Sequence, residues 1–495
     1  MNTDTIAAIA TALSDSGIGI IRISGPKAIE IADKVYMSKG GKKHLKDVDS
    51  HTIHYGFIVD KNRDESAEND KKSILDEVMV SVMKAPKSYT AEDTVEINCH
   101  GGVLMMRRIL ETVLRAGARM AEPGEFSKRA FLNGRMDLSE AEAVMDVIHA
   151  KNELALKSSV SQLKGAVSEK IKELRAKIIY EIAFIESALD DPEHITLEEY
   201  PERLTAIVEE LLLEVNKLLS SADNGKILKE GINTVIVGKP NAGKSSFLNL
   251  LIGEEKAIVT DIAGTTRDIL EEQIRLNGIS LNMIDTAGIR STEDVVEKIG
   301  VEKAKKYAED ADLVIYVVDS SVPLDKNDKE IMALIGSKKC VVLLNKTDLK
   351  PVTTEEMLME TFAEINPENV ITIEDFLCED NLSKNETSNK IKVIKTSTKD
   401  ATGMDTFEET IKEMFFSGEI SFENEVYITN IRHKEALNET KDALTMVKQS
   451  LEDNMPEDFY SIDLMSAYAS LGSIIGEEIS DDLVEEIFSK FCMGK

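Results

Sequence analysis

INTVIVGKPNAGKSSFLNLL, residues 232–251, decides the fold of the middle of this chain. Residues 232–238 form an apolar, β-branched run of strand length. Gly238-Lys239-Pro240-Asn241-Ala242-Gly243-Lys244-Ser245 then fits GxxxxGK[ST], and SSFLNLL opens a helix. Strand, glycine-rich loop and helix in that order cradle phosphate. The glycines let backbone N–H groups curl around phosphate oxygens, and Lys244 brings a point charge to the outer phosphates. Ser245 is placed to ligate Mg²⁺, with Asn241, Ala242, Gly243 and Ser246 completing the phosphate contacts.

Working outward, SLNMIDTAG (280–288), ADLVIYVVD (311–319) and KCVVLLNKTD (339–348) are further buried-strand patterns at helix-length spacing. They predict a mainly parallel α/β sheet over about 230–418. Asp285-Thr286-Ala287-Gly288 ends one strand as a DxxG segment able to sense Mg²⁺ and a γ-phosphate. Asn345-Lys346-Thr347-Asp348 ends another and fits NKxD. Asp348 can accept hydrogen bonds from guanine N1–H and the exocyclic amine, which adenine does not offer, and Lys346 can lay its stem along the base. Ser397-Thr398-Lys399 occupies the place of the usual S-A-K loop. These ordered elements predict GTP binding.

Between the phosphate loop and DxxG lies Thr260-Asp261-Ile262-Ala263-Gly264-Thr265-Thr266-Arg267-Asp268, a candidate switch loop. A glutamine directly after DxxG can orient the attacking water, but that position is Ile289. Glu293, Asp294 and Glu297 lie within reach in the next segment, and local chemistry does not choose among them.

The flanks differ in character. Residues 1–122 mix short strands with helices and read as an α+β domain: strands at 6–11, 17–24, 51–60 and 74–84, helices at 26–36 and 101–117. Residues 123–229 and 419–495 place apolar residues every three or four positions. They read as one all-α helical domain split by the insertion 230–418, or else as two separate helical units. Residues 351–390 carry ten acidic residues against two lysines and read as a turn-rich surface insertion without a catalytic part.

The 495 residues suit a multidomain chain. With 59 basic against 90 acidic residues, the net charge is −31. That balance speaks against a general grip on phosphate backbones, and the absence of Trp against a stacking platform. Any nucleic acid must be held by a local patch or a partner. Cys99, Cys340, Cys378 and Cys492 match no metal spacing or disulfide framework. The N-terminus has no basic leader, and no apolar run reaches the ~18 residues of a membrane span. The chain is expected to be cytoplasmic.

The sequence resembles the MnmE (TrmE) family of tRNA wobble-uridine modification GTPases over nearly its whole length. The likeness is carried by DTIAAIAT, GIGIIRISGPKA, SYTAEDTVEINCHGG (88–102), AEPGEFSKRAFLNGRMDLSEAEAVMDVI (121–148), GKPNAGKSS, IAGTTRD, DTAGIR and GEEISDDLVEEIFSKFCMGK at the C-terminus. The resemblance implies K⁺ held by Asn241 and by Thr260, Ile262 and Thr265, standing in for an arginine finger when two GTPase domains meet. While the resemblance of the switch loop to translation-factor-like GTPases implies that Thr266 closes on Mg²⁺, the family resemblance implies that Glu297 positions the water. It implies a 5-formyl- or methylene-tetrahydrofolate site formed by Arg22, Glu96, Arg135 and Lys495 in an N-terminal folate-binding and dimerisation domain. It also implies a homodimer, a flavin-containing MnmG-type partner, and tRNA as substrate. Three departures stand out: Arg135 for the usual Lys, Leu13-Ser14-Asp15 for the usual Pro-Pro-Gly, and Met493 for Ile. Cys492 is a family position compatible with a buried or a reactive thiol. The competing expectation is an RNA-binding ribosome-assembly GTPase without modification activity, and a folate-binding N-terminal domain discriminates the two.

Overall fold

The structure, a computed structural model, describes residues 4–60, 73–191, 194, 200–253, 272–276, 278–284, 311–335, 338–365, 391–416, 426–477, 479–491 and 494. The chain divides into two compact units: 1–145, 162–208 and 439–495 in one, 146–161 and 209–438 in the other.

The first unit is built on strands β1 (Ile6–Ile9), β2 (Ser16–Ser24), β3 (Tyr36–Ser38), β4 (Thr52–Asp60), β5 (Ser73–Met83), β6 (Thr94–Gly101) and β7 (Arg119–Met120). They form one sheet in the order β3-β4-β5-β6-β2-β1-β7, antiparallel except for the β1–β7 pair. Strand alternation sorts its two faces. Ile21, Ile23, Val78, Val80, Val82, Val95 and Ile97 bury one face under helices Ala28–Val35 and Val103–Arg115. Ala8, Arg22 and Glu96, at directly paired positions of β1, β2 and β6, occupy the other. Strands β3, β6 and β7 have no counterpart in the sequence expectations. The helix expected over 26–36 ends at Val35 because Tyr36 starts β3.

Helix Glu125–Leu132 lies on that second side, with Phe126 packed among Ile6, Ala8 and Ala121. The C-terminal helix Asp481–Ser489, N-capped by the Ser480 hydroxyl, returns to it. Val484, Phe488 and Phe491 join Ala130, Met136, Leu138 and Ala141 in one cluster. Gly124 makes this approach possible. Its φ is +68°, and a Cβ there would meet the Phe488 carbonyl oxygen at 2.3 Å. Helices Ala166–Asp190 and Glu457–Ile475 pack along each other. Ile171, Leu174, Ile178, Ile182 and Ile185 supply the buried stripe at three- and four-residue spacing.

The second unit carries β8 (Ile232–Val237), β9 (Glu272–Leu276), β10 (Ile279–Met283), β11 (Leu313–Asp319), β12 (Lys339–Asn345) and β13 (Ile391–Lys395). Their order is β13-β12-β11-β8-β10-β9, parallel except for the antiparallel edge strand β9. The sequence expectations held the four inner strands and missed both edges. β11 is buried along its whole length, as a strand covered on both faces must be. One face packs Ile315, Val317, Val341 and Leu343 with Phe247, Phe407 and Ile411; the other packs Val314, Tyr316, Val342 and Leu344 with Met332, Leu358 and Phe362. Leu358 and Phe362 correct the surface-insertion expectation for the start of 351–390. They sit one turn apart on helix Glu355–Ile365 and are fully buried. Charge composition hid that one apolar stripe; residues 366–390 lie outside the described residues.

Phe407 is fully buried edge-to-face against Phe247 of the helix after the phosphate loop, ring centroids 5.4 Å apart. Phe407→Ala is expected to destabilise this unit by about 3–5 kcal/mol. Denaturant unfolding followed by circular dichroism checks this, and a loss below about 1 kcal/mol would contradict it.

Candidate nucleotide and anion sites

β8 is the point where strand order reverses: the chain proceeds from it to β9 and β10 on one side, then to β11, β12 and β13 on the other. A crevice opens at the carboxyl end of such a strand. Residues 238–243 turn there, and helix Lys244–Gly253 starts immediately after, its N-terminus aimed along the loop. Asn241 adopts a left-handed φ of +62°. Lys244 Nζ donates to the carbonyl oxygens of Gly238 and Lys239, each at 2.7 Å. Burial pulls the Lys244 ammonium below the ordinary lysine pKa. Ser245 and Ser246 are exposed on the first turn of the helix.

The NKxD and Ser397-Thr398-Lys399 segments stand beside this loop. Asn345, buried at the end of β12, donates from Nδ2 to the Ala242 carbonyl at 2.9 Å, and its Oδ1 accepts from the Thr398 backbone N–H at 3.3 Å. The amide thereby joins the phosphate loop to the Ser397-Thr398-Lys399 turn. Thr398 acts through its backbone, so a Thr in place of the usual Ala leaves this contact intact. Ser397 donates to Asp348 Oδ1 at 3.4 Å, and Thr347 donates to the Thr396 carbonyl through both its backbone N–H and its hydroxyl. Lys346, at φ +63°, donates to Asp319 Oδ2 at 2.6 Å. Burial alone would raise the Asp319 pKa, but the Lys346 and Ser321 hydrogen bonds hold it below the usual carboxylate value. Asp319 was not foreseen. A lone Asp ending an apolar strand gives no sequence signal until its partner is known.

In the first unit, Arg22 Nε donates to Glu96 Oε1 at 2.8 Å, as expected for directly opposed residues of adjacent strands. Arg22 also donates to the Gly494 carbonyl at 3.1 Å, bringing the C-terminus to this face within one chain. The Tyr89 ring lies 5.3 Å from the Arg22 guanidinium and 5.2 Å from that of Arg135. Arg22, paired with Glu96, and Arg135 thus flank one aromatic ring, and Tyr89 is the member that sequence reasoning missed. Beneath them Arg129, almost fully buried, donates to Asp4, Glu92 and Glu125, and Arg119 donates to Asp4 and Glu125. This network fixes the helix that carries Phe126 under Arg22.

Thr260, Asp261, Ile262, Ala263, Gly264, Thr265, Thr266, Asp285, Thr286, Ala287, Gly288, Glu297, Lys495 and Cys492 lie outside the described residues. Cys99 and Cys340 are separate buried thiols, and burial pushes that of Cys99 up to about 11. Among the described residues, no cluster of His, Cys, Asp and Glu could hold a metal ion on its own, and no helix is long and apolar enough to cross a membrane.

Comparison with known proteins adds an independent line. A family profile described as the MnmE helical domain matches residues 138–492, and one described as the GTP-binding protein TrmE N-terminus matches residues 5–135. The tRNA modification GTPase MnmE of Lachnoclostridium phytofermentans is 55 % identical over 495 residues, covering 100 % of both chains. That of Acetivibrio thermocellus is 47 % identical over 496 residues, covering 99 % of both. Among solved structures, the G domain of the T. maritima FeoB iron transporter is 24 % identical, with a TM-score of 0.21, covering 37 % of this chain and 97 % of that one.

Gly243 sits at φ +105°, and a Cβ there would stand 2.1 Å from Asn345 Nδ2. Gly243→Ala must therefore displace either the phosphate loop or the Asn345 amide. Guanine-nucleotide affinity is expected to fall about 100-fold, equivalent to roughly 2.7 kcal/mol. Titration with a fluorescent GDP analogue measures it, and parent-like affinity would contradict this account of the loop.

Proposed function

The chain belongs to the MnmE family of tRNA modification GTPases, and from that premise we propose a K⁺-dependent GTPase that acts on the wobble uridine of certain tRNAs. Working with a flavin-containing MnmG-type partner, it installs a carboxymethylaminomethyl-type group at C5, using a tetrahydrofolate one-carbon unit. The observation that carries this reading is the Asn345 bridge. It ties the phosphate loop to the Ser397-Thr398-Lys399 turn, whose Ser397 hydrogen-bonds Asp348, the proposed guanine-selective carboxylate, at the carboxyl ends of the inner strands.

In the proposed cycle Lys244 and the loop N–H groups hold the β- and γ-phosphates, and Ser245 and Thr266 ligate Mg²⁺. Asp285 and Gly288 sense the γ-phosphate. Asn241, Thr260, Ile262 and Thr265 hold K⁺ where negative charge develops, and Glu297 positions the attacking water. K⁺ supplies electrostatic stabilisation that an arginine would otherwise bring. The left-handed backbone of Asn241 and its exposure in the phosphate loop support its assignment.

Arg22, Glu96, Arg135 and Lys495 form the proposed folate site, with the cations toward the glutamate tail and Glu96 toward the pterin edge. Support comes from Arg22 and Arg135 flanking Tyr89, from the Arg22–Glu96 ion pair and from the Gly494 carbonyl on Arg22, since Lys495 is the next residue. The proposed division is 1–122 for folate and dimerisation, 123–229 and 419–495 for the helical domain, and 230–418 for the GTPase. The protein is proposed to act as a cytoplasmic homodimer whose GTPase domains meet during hydrolysis. The partner and limited local patches hold tRNA despite the net charge of −31.

Two measurements test the reading. GTP hydrolysis is expected to run at least about tenfold faster in KCl than in NaCl at equal ionic strength; equal rates would remove the K⁺ assignment. Calorimetry with 5-formyl-tetrahydrofolate is expected to show affinity at least about tenfold weaker for Arg22→Ala. Undiminished binding by that variant would remove the folate site from this face.

A further inference from the structure

The second residue of the phosphate loop, Lys239, turns its side chain away from the loop's concave side. Its Nζ donates to Asp328 Oδ2 at 2.6 Å and to Asp325 Oδ2 at 3.0 Å. Asp328 lies in the first turn of helix Lys326–Ile335 and is 1 % exposed. A carboxylate so buried is tolerated only when its oxygens are satisfied. Asp328 Oδ1 accepts from the Tyr316 hydroxyl of β11 at 2.8 Å, and Oδ2 also accepts from the Asp325 backbone N–H at 2.9 Å. Asp325 in turn accepts from the backbone N–H groups of Asn327 and Asp328, which fixes the start of that helix.

None of these groups is called for by the nucleotide-binding motifs. Their geometry nevertheless bears on the phosphate loop. The carbonyls of Gly238 and Lys239 are the two acceptors that orient the Lys244 ammonium. The far end of the loop is already held by Asn345 through the Ala242 carbonyl. With the near end held through the Lys239 side chain, the peptides between are pinned at both ends. Such preorganisation lets backbone N–H groups bind phosphate without a reordering cost at each encounter.

We propose that Asp328, held by Tyr316, is a positioning residue of the phosphate loop: through its ion pair with Lys239 it fixes the peptide whose carbonyl aims Lys244 at the nucleotide phosphates. The proposal rests on residues 238–245 being the nucleotide site. Asp328 touches no nucleotide itself; it acts through Lys239. Burial alone would lower the Lys239 pKa, but hydrogen bonds to the two carboxylates raise it above the ordinary lysine value, so the ammonium keeps its charge at neutral pH.

The test uses the full-length chain and fluorescent GDP and GTP analogues at 20 °C, with unfolding midpoints measured without nucleotide. Asp328→Asn and Lys239→Met are expected to weaken both nucleotides by about ten- to a hundredfold, whereas Lys239→Arg, which keeps the ion pair, recovers at least about a third of the parent affinity. A merely structural role would lower the unfolding midpoint and leave affinity at 20 °C unchanged. Parent-like affinity in Lys239→Met overturns the proposal. If Asp328→Asn does not fold, the Lys239 pair decides: a tenfold gap between Met and Arg supports the tether, and equal affinities overturn it. A parent chain that binds neither analogue overturns the nucleotide site and the tether together, whereas a binding parent with unaffected variants overturns the tether alone.

Discussion

The buried amide of Asn345 is the contact on which the nucleotide end of the second unit depends. An amide excluded from water must find partners for both its ends, and here both lie in other segments: the Ala242 carbonyl and the Thr398 N–H. The phosphate loop and the NKxD segment come from stretches more than a hundred residues apart in the chain. One side chain sets the distance between them, and the lack of a Cβ at Gly243 makes room for it. The sheet supplies rigidity, because β11 is buried throughout, β12 is buried from Cys340 to Asn345, and the two pair in parallel over seven residues.

The first unit solves a different problem, how to place charges on one face of a sheet whose other face is core. Strand register alone sets Arg22 opposite Glu96. Arg129 is almost fully buried among Asp4, Glu92 and Glu125, and such a network is weak evidence for stability. Its geometric effect is more specific. It ties the start of the chain, the loop before β6 and helix Glu125–Leu132 to one another. In this strongly acidic protein, Arg22, Arg119 and Arg129 are therefore engaged with particular carboxylates and carbonyls.

The strands that sequence patterning missed are instructive. Glu272–Leu276 and Ile391–Lys395 are the two edges of the second sheet, where a strand is covered less completely and its apolar run is shorter and interrupted by charge. Helix Glu355–Ile365 was hidden in the same way, since only Leu358 and Phe362 among its eleven residues are fully buried. Composition averages over a window, whereas burial selects single positions one turn apart.

The sequence by itself determined the phosphate loop, NKxD and S-T-K segments, the buried inner strands and the amphipathic helices. Each depends on residues close together in the chain, where spacing reports backbone geometry directly. It also determined family membership, because long blocks such as AEPGEF and FCMGK are distinctive without any knowledge of their contacts. Only the tertiary structure decided that Lys346 meets Asp319, that Tyr89 stands between Arg22 and Arg135, that Gly494 reaches Arg22, and that Lys239 is held by Asp328. Most of these partners are separated by tens to hundreds of residues. A charge in sequence reads as a solvated surface group until folding brings its counterpart within about 3 Å and removes the water between them.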